Sequence, residues 1–178
     1  MCSISGFFNP YADYSANQAE YQQILKQMTT VLFHRGPDEC GFTLSKRCGL
    51  AHTRLSIIDL KTGSQPMVYE TSGFSYQMIF NGEIYNYSSL KNLLAKLTKN
   101  DNINSDSELL VNLIDFYYRD DLLRAVSQVN NLLDGDYAYA VTDGINLAVS
   151  RDPLGVKPLF YTQNAFASSK QCLKGDIK

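Results

Sequence analysis

The chain has 178 residues, 44% of them hydrophobic and 19% charged, with a net charge of −2, which suits one globular domain with a substantial apolar core. The balance leaves no basic footprint for nucleic acid, and no apolar run in the sequence approaches the roughly 18 residues a membrane span needs. Asn9, Asp13, Asn17 and Gln18 interrupt the N-terminal stretch before a signal-peptide core can form, and no basic segment precedes it, so the expected compartment is the cytoplasm. The cysteines are Cys2, Cys40, Cys48 and Cys172, with no CxxC pair and only His34 and His52 beside them, so no metal site is expected. Cys40, Cys48 and Cys172 read as free, buried or partly buried thiols.

In chain order, Ser3-Ile4-Ser5-Gly6-Phe7-Phe8 alternates small polar and apolar residues and ends at Asn9-Pro10, which predicts a strand. A helix is predicted from about Asn17 to Phe33, with Tyr21, Ile24, Leu25, Met28, Val31 and Leu32 on the helical period and Asn17 with Glu20 as a capping box. Gly41 to Leu60 is β-rich, and Lys61-Thr62-Gly63-Ser64 reads as a turn. Tyr76 to Phe80 predicts a strand stopped by Asn81-Gly82. A helix follows over about Ser88 to Leu97, then a polar loop from Lys99 to Asn104. Ser105-Asp106-Ser107-Glu108 is a capping box that opens a helix carrying Leu109, Leu110, Leu113, Ile114 and Tyr117. A further helix covers about Leu122 to Val129. Three short strands close the pattern, Tyr137 to Val141, Leu147 to Val149 and Leu159 to Tyr161, with Asp143-Gly144 as a hairpin turn. Strands and helices come in blocks rather than in strict alternation, which predicts antiparallel sheets covered by helices.

The chemistry begins at Cys2. A small second residue permits removal of Met1, and the chain would then start with a thiol and a free α-amine on one carbon. An α-amine titrates at about 7.7–8.0 and can take the thiol proton near neutrality, a nucleophile with its own base. An amide hydrolase also needs oxyanion donors and groups that recognise substrate. Asn81-Gly82 offers a side-chain amide and a backbone N–H, or else a tight turn. Arg54 lies in the otherwise apolar run Leu50 to Leu60 and requires an anion, either a substrate carboxylate or a structural ion-pair partner. Asp106 sits in a first helical turn, where it answers the helix dipole or binds a substrate ammonium. Arg35-Gly36-Pro37-Asp38 and Arg151-Asp152-Pro153-Leu154-Gly155 read on their own as structural turns.

Together these residues resemble the glutamine-hydrolysing domain of asparagine synthetase, a class II glutamine amidotransferase of the N-terminal-nucleophile hydrolase group. The strings that carry the resemblance are Met1-Cys2-Ser3-Ile4-Ser5-Gly6, His34-Arg35-Gly36-Pro37-Asp38, Arg54 to Leu60, Gln65-Pro66-Met67, Asn81-Gly82-Glu83-Ile84-Tyr85-Asn86, Ser105 to Glu108 and Arg151 to Tyr161. They run in the family's order over nearly the whole chain. The resemblance implies an α+β fold, the four-layer αββα sandwich. It implies Cys2 as nucleophile with its own amine as base, and Asn81 and Gly82 as the oxyanion hole. Arg54 would hold the glutamine α-carboxylate, Leu55, Ser56, Ile57 and Ile58 would line the pocket, and Gly82, Glu83 and Asp106 would surround the α-amino end.

By the same resemblance, residues 2–165 form the glutaminase domain and 166–178 begin the connection to a synthetase domain outside this chain. L-glutamine is the implied substrate, that synthetase domain or subunit is the partner and ammonia acceptor, and there is room for a homodimer. No cofactor is expected in this chain, since ATP and Mg belong to the synthetase domain, whose Ser-Gly-Gly-Leu-Asp-Ser loop the sequence lacks. Ser3 stands where the family has Gly, and Phe166-Ala167-Ser168-Ser169-Lys170 lacks the family's acidic residue after the first Ser. Two alternatives stay open: a module of this fold that binds glutamine or a partner without turnover, and an ammonia donor to a different amide-forming synthetase.

Overall fold

A computed structural model of the chain describes residues 1–55, 64–71, 73–99 and 102–178. Its strands are β1 (Ser3–Phe8), β2 (Glu39–Leu44), β3 (Cys48–Arg54), β4 (Met67–Glu70), β5 (Ser75–Ile84), β6 (Gly135–Thr142), β7 (Leu147–Arg151), β8 (Phe160–Tyr161) and β9 (Ala165–Ala167). The helices are α1 (Gln18–Leu32), α2 (Tyr87–Thr98), α3 (Asp106–Tyr117) and α4 (Leu122–Asn130). Two antiparallel sheets result, a first in the order β2-β3-β1-β9-β8 and a second in the order β4-β5-β6-β7.

The period-2 alternation of strand side chains sorts the layers. Along β5 and β6, Met78, Phe80, Tyr137, Tyr139 and Val141 pack against Leu90, Leu94, Leu109, Leu110 and Leu113 of the helices. The intervening Ile79, Ala138 and Ala140 turn the other way and meet Ile4, Leu50 and Phe166 of the first sheet. On the far side of the first sheet, Leu25 and Met28 of α1 cover Phe7 and Ala51. The stack is therefore α1, first sheet, second sheet, then α2 to α4, the αββα order expected from the sequence. The alanines facing inward on β6 are small and let the sheets approach.

Several local expectations change. The strand predicted to stop at Phe80 runs on to Ile84, with Asn81 opposite Ala138 and Gly82 opposite Tyr137. Gly82 is thus a close-approach glycine rather than a turn residue: a Cβ there would lie 2.2 Å from the Asp136 carbonyl oxygen. Asn17 makes no side-chain cap to α1. The helix is entered from a 3₁₀ turn whose cap is Asp13, and Asn17 Nδ2 donates to Glu20 at 3.4 Å instead. Strands β4 and β9 were not anticipated; each is four residues or fewer, too short to show a period. Cys40 is exposed, not buried. The predicted turn at Lys61-Thr62-Gly63 and the end of the β-rich run, Ser56 to Leu60, lie outside the described residues.

Other signals match the structure. Ser105 Oγ accepts from the Glu108 N–H at 3.2 Å, capping α3, and Asp143-Gly144 turns β6 into β7 with Gly144 at φ +86°. The Arg151 to Gly155 segment is a built loop: the buried Asp152 accepts from Val156 N and Lys157 N at 2.8 and 3.0 Å. At the C-terminal end, β9 lies between β1 and β8 in the first sheet, Ser168 Oγ accepts from Ile4 N at 3.0 Å, and Lys178 pairs with Tyr161. Among the described residues no helix is long and apolar enough to cross a membrane.

Because Ile79 is fully buried between the sheets, Ile79→Ala should lower unfolding free energy by about 2–5 kcal/mol, read from denaturant titration. A smaller change would mean that the inter-sheet layer collapses onto the vacancy.

Candidate active site

Two side-chain bridges between the sheets set how the strands are aligned. Thr43 Oγ1 of β2 donates to Gln77 Oε1 of β5 at 3.0 Å, and His52 Nε2 of β3 lies 3.2 Å from the Phe80 carbonyl oxygen. In the first sheet Thr43 is level with Leu50 and Gly6, while His52 is level with Ile4. Advancing along β5 from Gln77 to Phe80 therefore retreats along β1 from Gly6 to Ile4. One further step brings Asn81 to the level of Ser3 and Cys2. Asn81 has the same parity as Ile79 and faces the first sheet, so its side chain enters the layer at whose end Cys2 stands.

Cys2 precedes β1 and is half-buried. Its Sγ contacts the backbone of Leu55 twice, accepting from the Leu55 N–H at 3.4 Å and donating to the Leu55 carbonyl oxygen at 3.7 Å. The neighbouring Ser3 is fully buried in regular strand backbone, its Oγ 2.5 Å from Thr53 Oγ1. The Ser3 hydroxyl thus ties β1 to β3 beside the thiol. Met1 lies under Arg35, whose Nη2 donates to the Met1 sulfur at 3.4 Å.

Asn81 is 3% exposed, and its Nδ2 is buried with no hydrogen-bond partner among the described residues. A buried amide donor left unpaired costs free energy, and such an exception calls for an explanation, a catalytic role among them. Strand β4 pairs with β5 only as far as Met78. Beyond it, the outward backbone groups of β5 are taken by side chains: Gln65 Oε1 accepts from Phe80 N at 2.6 Å and Asp106 Oδ2 from Ile84 N at 3.2 Å. Gly82, midway between them, turns its N–H to the same side by strand alternation, and among the described residues no side chain accepts from it.

Arg54 ends β3. Its Nη1 pairs with Glu39 Oε2 at 3.1 Å, and Ser64 Oγ donates to the other Glu39 oxygen at 2.7 Å. Those two contacts hold the Glu39 carboxyl below its ordinary range, the Ser64 bond first. Arg54 therefore has a protein carboxylate as a partner. Glu39 was missed from sequence, since only strand pairing brings it opposite Arg54. Asp106 is the first residue of α3, and Lys91 Nζ and Tyr87 Oη fasten the preceding loop at the Ile103 carbonyl. Burial raises the Asp106 carboxyl, partly offset by the Ile84 N–H and increased again by Glu83. Glu83 is exposed beside it. Ser56, Ile57 and Ile58 lie outside the described residues.

The structure thus gathers Cys2, Arg54 and Leu55 at one end of the first sheet, and Asn81, Gly82, Glu83 and Asp106 at the facing end of the second. The other thiols are poor nucleophiles by their surroundings. Burial pushes Cys48 to about 12 and Cys172 to about 11, and burial with Glu39 raises Cys40. A cavity of about 670 Å³ between β7 and β8, lined by Leu147, Leu159 and Tyr161, lies on a flank of the sandwich away from these groups. Among the described residues no cluster of His, Cys, Asp and Glu is arranged to hold a metal ion.

Paired antiparallel sheets between helical layers, with a thiol at the start of a central strand, define the N-terminal-nucleophile hydrolase fold. The chain belongs to the glutamine amidotransferase domain family, whose model matches residues 1–177. It is 37% identical, over 97% of its length, to asparagine synthetase (glutamine-hydrolyzing) 1 of Bacillus subtilis (strain 168), and covers 26% of that protein. It is 34% identical, over 91% of its length, to amidase chry2 of Gibberella zeae, covering 24% of it. The chain spans about a quarter of the length of these curated relatives. The same fold is found in the glutamine phosphoribosylpyrophosphate amidotransferase of B. subtilis, with a TM-score of 0.76 at 20% identity over 96% of this chain and 42% of that one.

Since the folded Asp106 carboxyl is raised, the native chain holds this proton more tightly than the unfolded chain, and stability falls as pH rises from about 3.8 through the folded value. Asp106→Asn should therefore raise the melting temperature at pH 7 and leave it unchanged below pH 3.8. A lower melting temperature for the variant at pH 7 would contradict this.

Proposed function

We propose that this chain is the glutaminase half of an asparagine-synthetase-like enzyme. It hydrolyses L-glutamine to glutamate and ammonia through a thioester on Cys2, and the ammonia serves ATP-dependent amidation of aspartate by a synthetase unit. Residues 2–165 make the glutaminase unit. The stretch 166–178, whose first residues also complete the first sheet, leads toward the synthetase. The observation that carries the reading is the buried, unpaired Nδ2 of Asn81 on the layer that Cys2 opens.

With Met1 removed, the Cys2 α-amine accepts the thiol proton and Sγ attacks the side-chain amide carbon of glutamine. The oxygen gains the electron pair of the carbonyl, and Asn81 Nδ2 and the Gly82 N–H donate to it. Collapse of this intermediate breaks the C–N bond, the α-ammonium gives its proton to the departing nitrogen, and ammonia leaves. Water, relieved of a proton by the same amine, then attacks the γ-glutamyl thioester. Expulsion of the thiol yields glutamate.

Arg54 meets the α-carboxylate while Glu39 holds its fork from behind. Asp106, aided by Glu83, meets the α-ammonium, and that positive charge opposes the burial that raises the carboxyl. A ligand lacking the α-ammonium leaves the buried Asp106 carboxylate without its counter-charge, and one lacking the α-carboxylate forfeits the contact to Arg54, which is the source of selectivity for an α-amino acid.

In a sample whose mass shows that Met1 is gone, Cys2→Ala should abolish glutamate release without moving the thermal transition. Asn81→Ala should lower kcat by about 10²–10³ while retaining alkylation of Cys2. Glutamate release that survives Cys2→Ala would overturn the reading.

A further inference from the structure

Asn81 and Gly82 carry the donors of the reading above, yet nothing in their own side chains fixes where those donors point. Their position depends on the backbone at Phe80, which lies past the last residue of β5 that β4 can pair. Both hydrogen-bonding groups of Phe80 are held by side chains. The N–H donates to Gln65 Oε1 at 2.6 Å, and the carbonyl oxygen, in the peptide unit that contains Asn81 N, lies 3.2 Å from His52 Nε2. His52 is 2% exposed, and burial depresses it to about 4, so the ring is neutral near pH 7 and its Nε2–H donates. Gln65 does not hang free: its Nε2 is 3.5 Å from Ser107 Oγ in the first turn of α3, one residue after Asp106. Its own carbonyl lies where a Cβ on Gly41 of β2 would be at 2.0 Å, so the backbone that carries it is packed against the first sheet.

We propose that Gln65 is a positioning residue for the oxyanion hole, acting with His52 to clamp Phe80 and linking the oxyanion strand to the helix that presents Asp106. The inference rests on the glutaminase reading. Gln65 replaces the missing β4 partner at the one peptide where a strand partner would also have covered the neighbouring Gly82 N–H. Continuing β4 beyond its four pairs would satisfy Phe80 but carry the ladder toward Gly82; a glutamine side chain satisfies Phe80 and stops there. The amide of Gln65 is suited to this because it accepts at one end and donates at the other, whereas Leu of similar size does neither.

The test uses the full chain with Met1 removed, comparing wild type, Gln65→Leu, Gln65→Glu and Ser107→Ala. Gln65→Leu should lower kcat about tenfold or more, less than outright loss of a donor, with KM within about twofold because neither Arg54 nor Asp106 is altered. Alkylation of Cys2 by iodoacetamide, which needs no oxyanion hole, should keep its wild-type rate, and amide exchange should rise in the peptide covering residues 80–84. Gln65→Glu keeps the acceptor and should recover most of kcat, and Ser107→Ala should lower kcat in the same direction by less. An active wild type with unchanged kcat in Gln65→Leu overturns the clamp and leaves the glutaminase reading standing. Loss of alkylation together with kcat overturns it in favour of a general structural role. Should Gln65→Leu not fold, the Glu and Ser107 variants decide: wild-type kcat in Ser107→Ala with no recovery pattern in Gln65→Glu overturns the clamp. A wild type that releases no glutamate overturns the glutaminase reading and this inference with it.

Discussion

The arrangement depends on one mismatch of strand lengths. Strand β5 runs to Ile84, but β4 accompanies it only to Met78. Every backbone N–H and C=O on the uncovered edge then needs a partner. The chain meets that demand one group at a time, with Gln65 and His52 at Phe80 and Asp106 at Ile84, and Gly82 lies between them. Had β4 continued, this edge would be ordinary sheet. The short strand turns a hydrogen-bonding liability into a row of individually addressed groups at the end of the sandwich where Cys2 lies.

The layered core supports this edge. Inward alanines on β6 and the Ile4–Ile79 contact fix the distance between the sheets, and the inter-sheet bridges fix their slide. Outward aromatics on β5 and β6 anchor α2 to α4, so the cap of α3 and the carboxylate of Asp106 are placed by the same packing. The two proposed recognition charges therefore come from opposite sheets, Arg54 from the first and Asp106 beside the second.

Much of this was legible from residue order alone. Long periodic segments such as α1, α3 and β6 announce themselves, and the Ser105 cap and the Asp143-Gly144 turn obey local rules that tertiary structure does not override. Cys2 and Arg54 stood out as candidates because each is out of place for its local pattern, while Asn81 and Asp106 suit a turn and a helix start and came forward only with the resemblance. What stayed hidden is non-local. Asn81-Gly82 has the composition of a turn, and only the pairing with β6 makes it strand. Glu39 and Gln65 carry no periodic signal; their roles come from neighbours fifteen residues away in sequence. Strands of three or four residues, such as β9 and β4, are too short for any period to register.

The distribution of thiols also bears on wear. Oxidants attack the thiolate, and a thiol held at about 12 or 11, as Cys48 and Cys172 are, exposes only a minute anionic fraction near neutrality. Cys40 is an exposed residue, yet partial burial of its thiol and then the Glu39 carboxylate beside it raise it. Cys2 is half-open to solvent, with the Leu55 N–H donating to its sulfur. A sulfenic acid there would silence the proposed nucleophile while leaving every layer of the sandwich in place, so on the glutaminase reading an ageing sample would lose activity well before it lost structure.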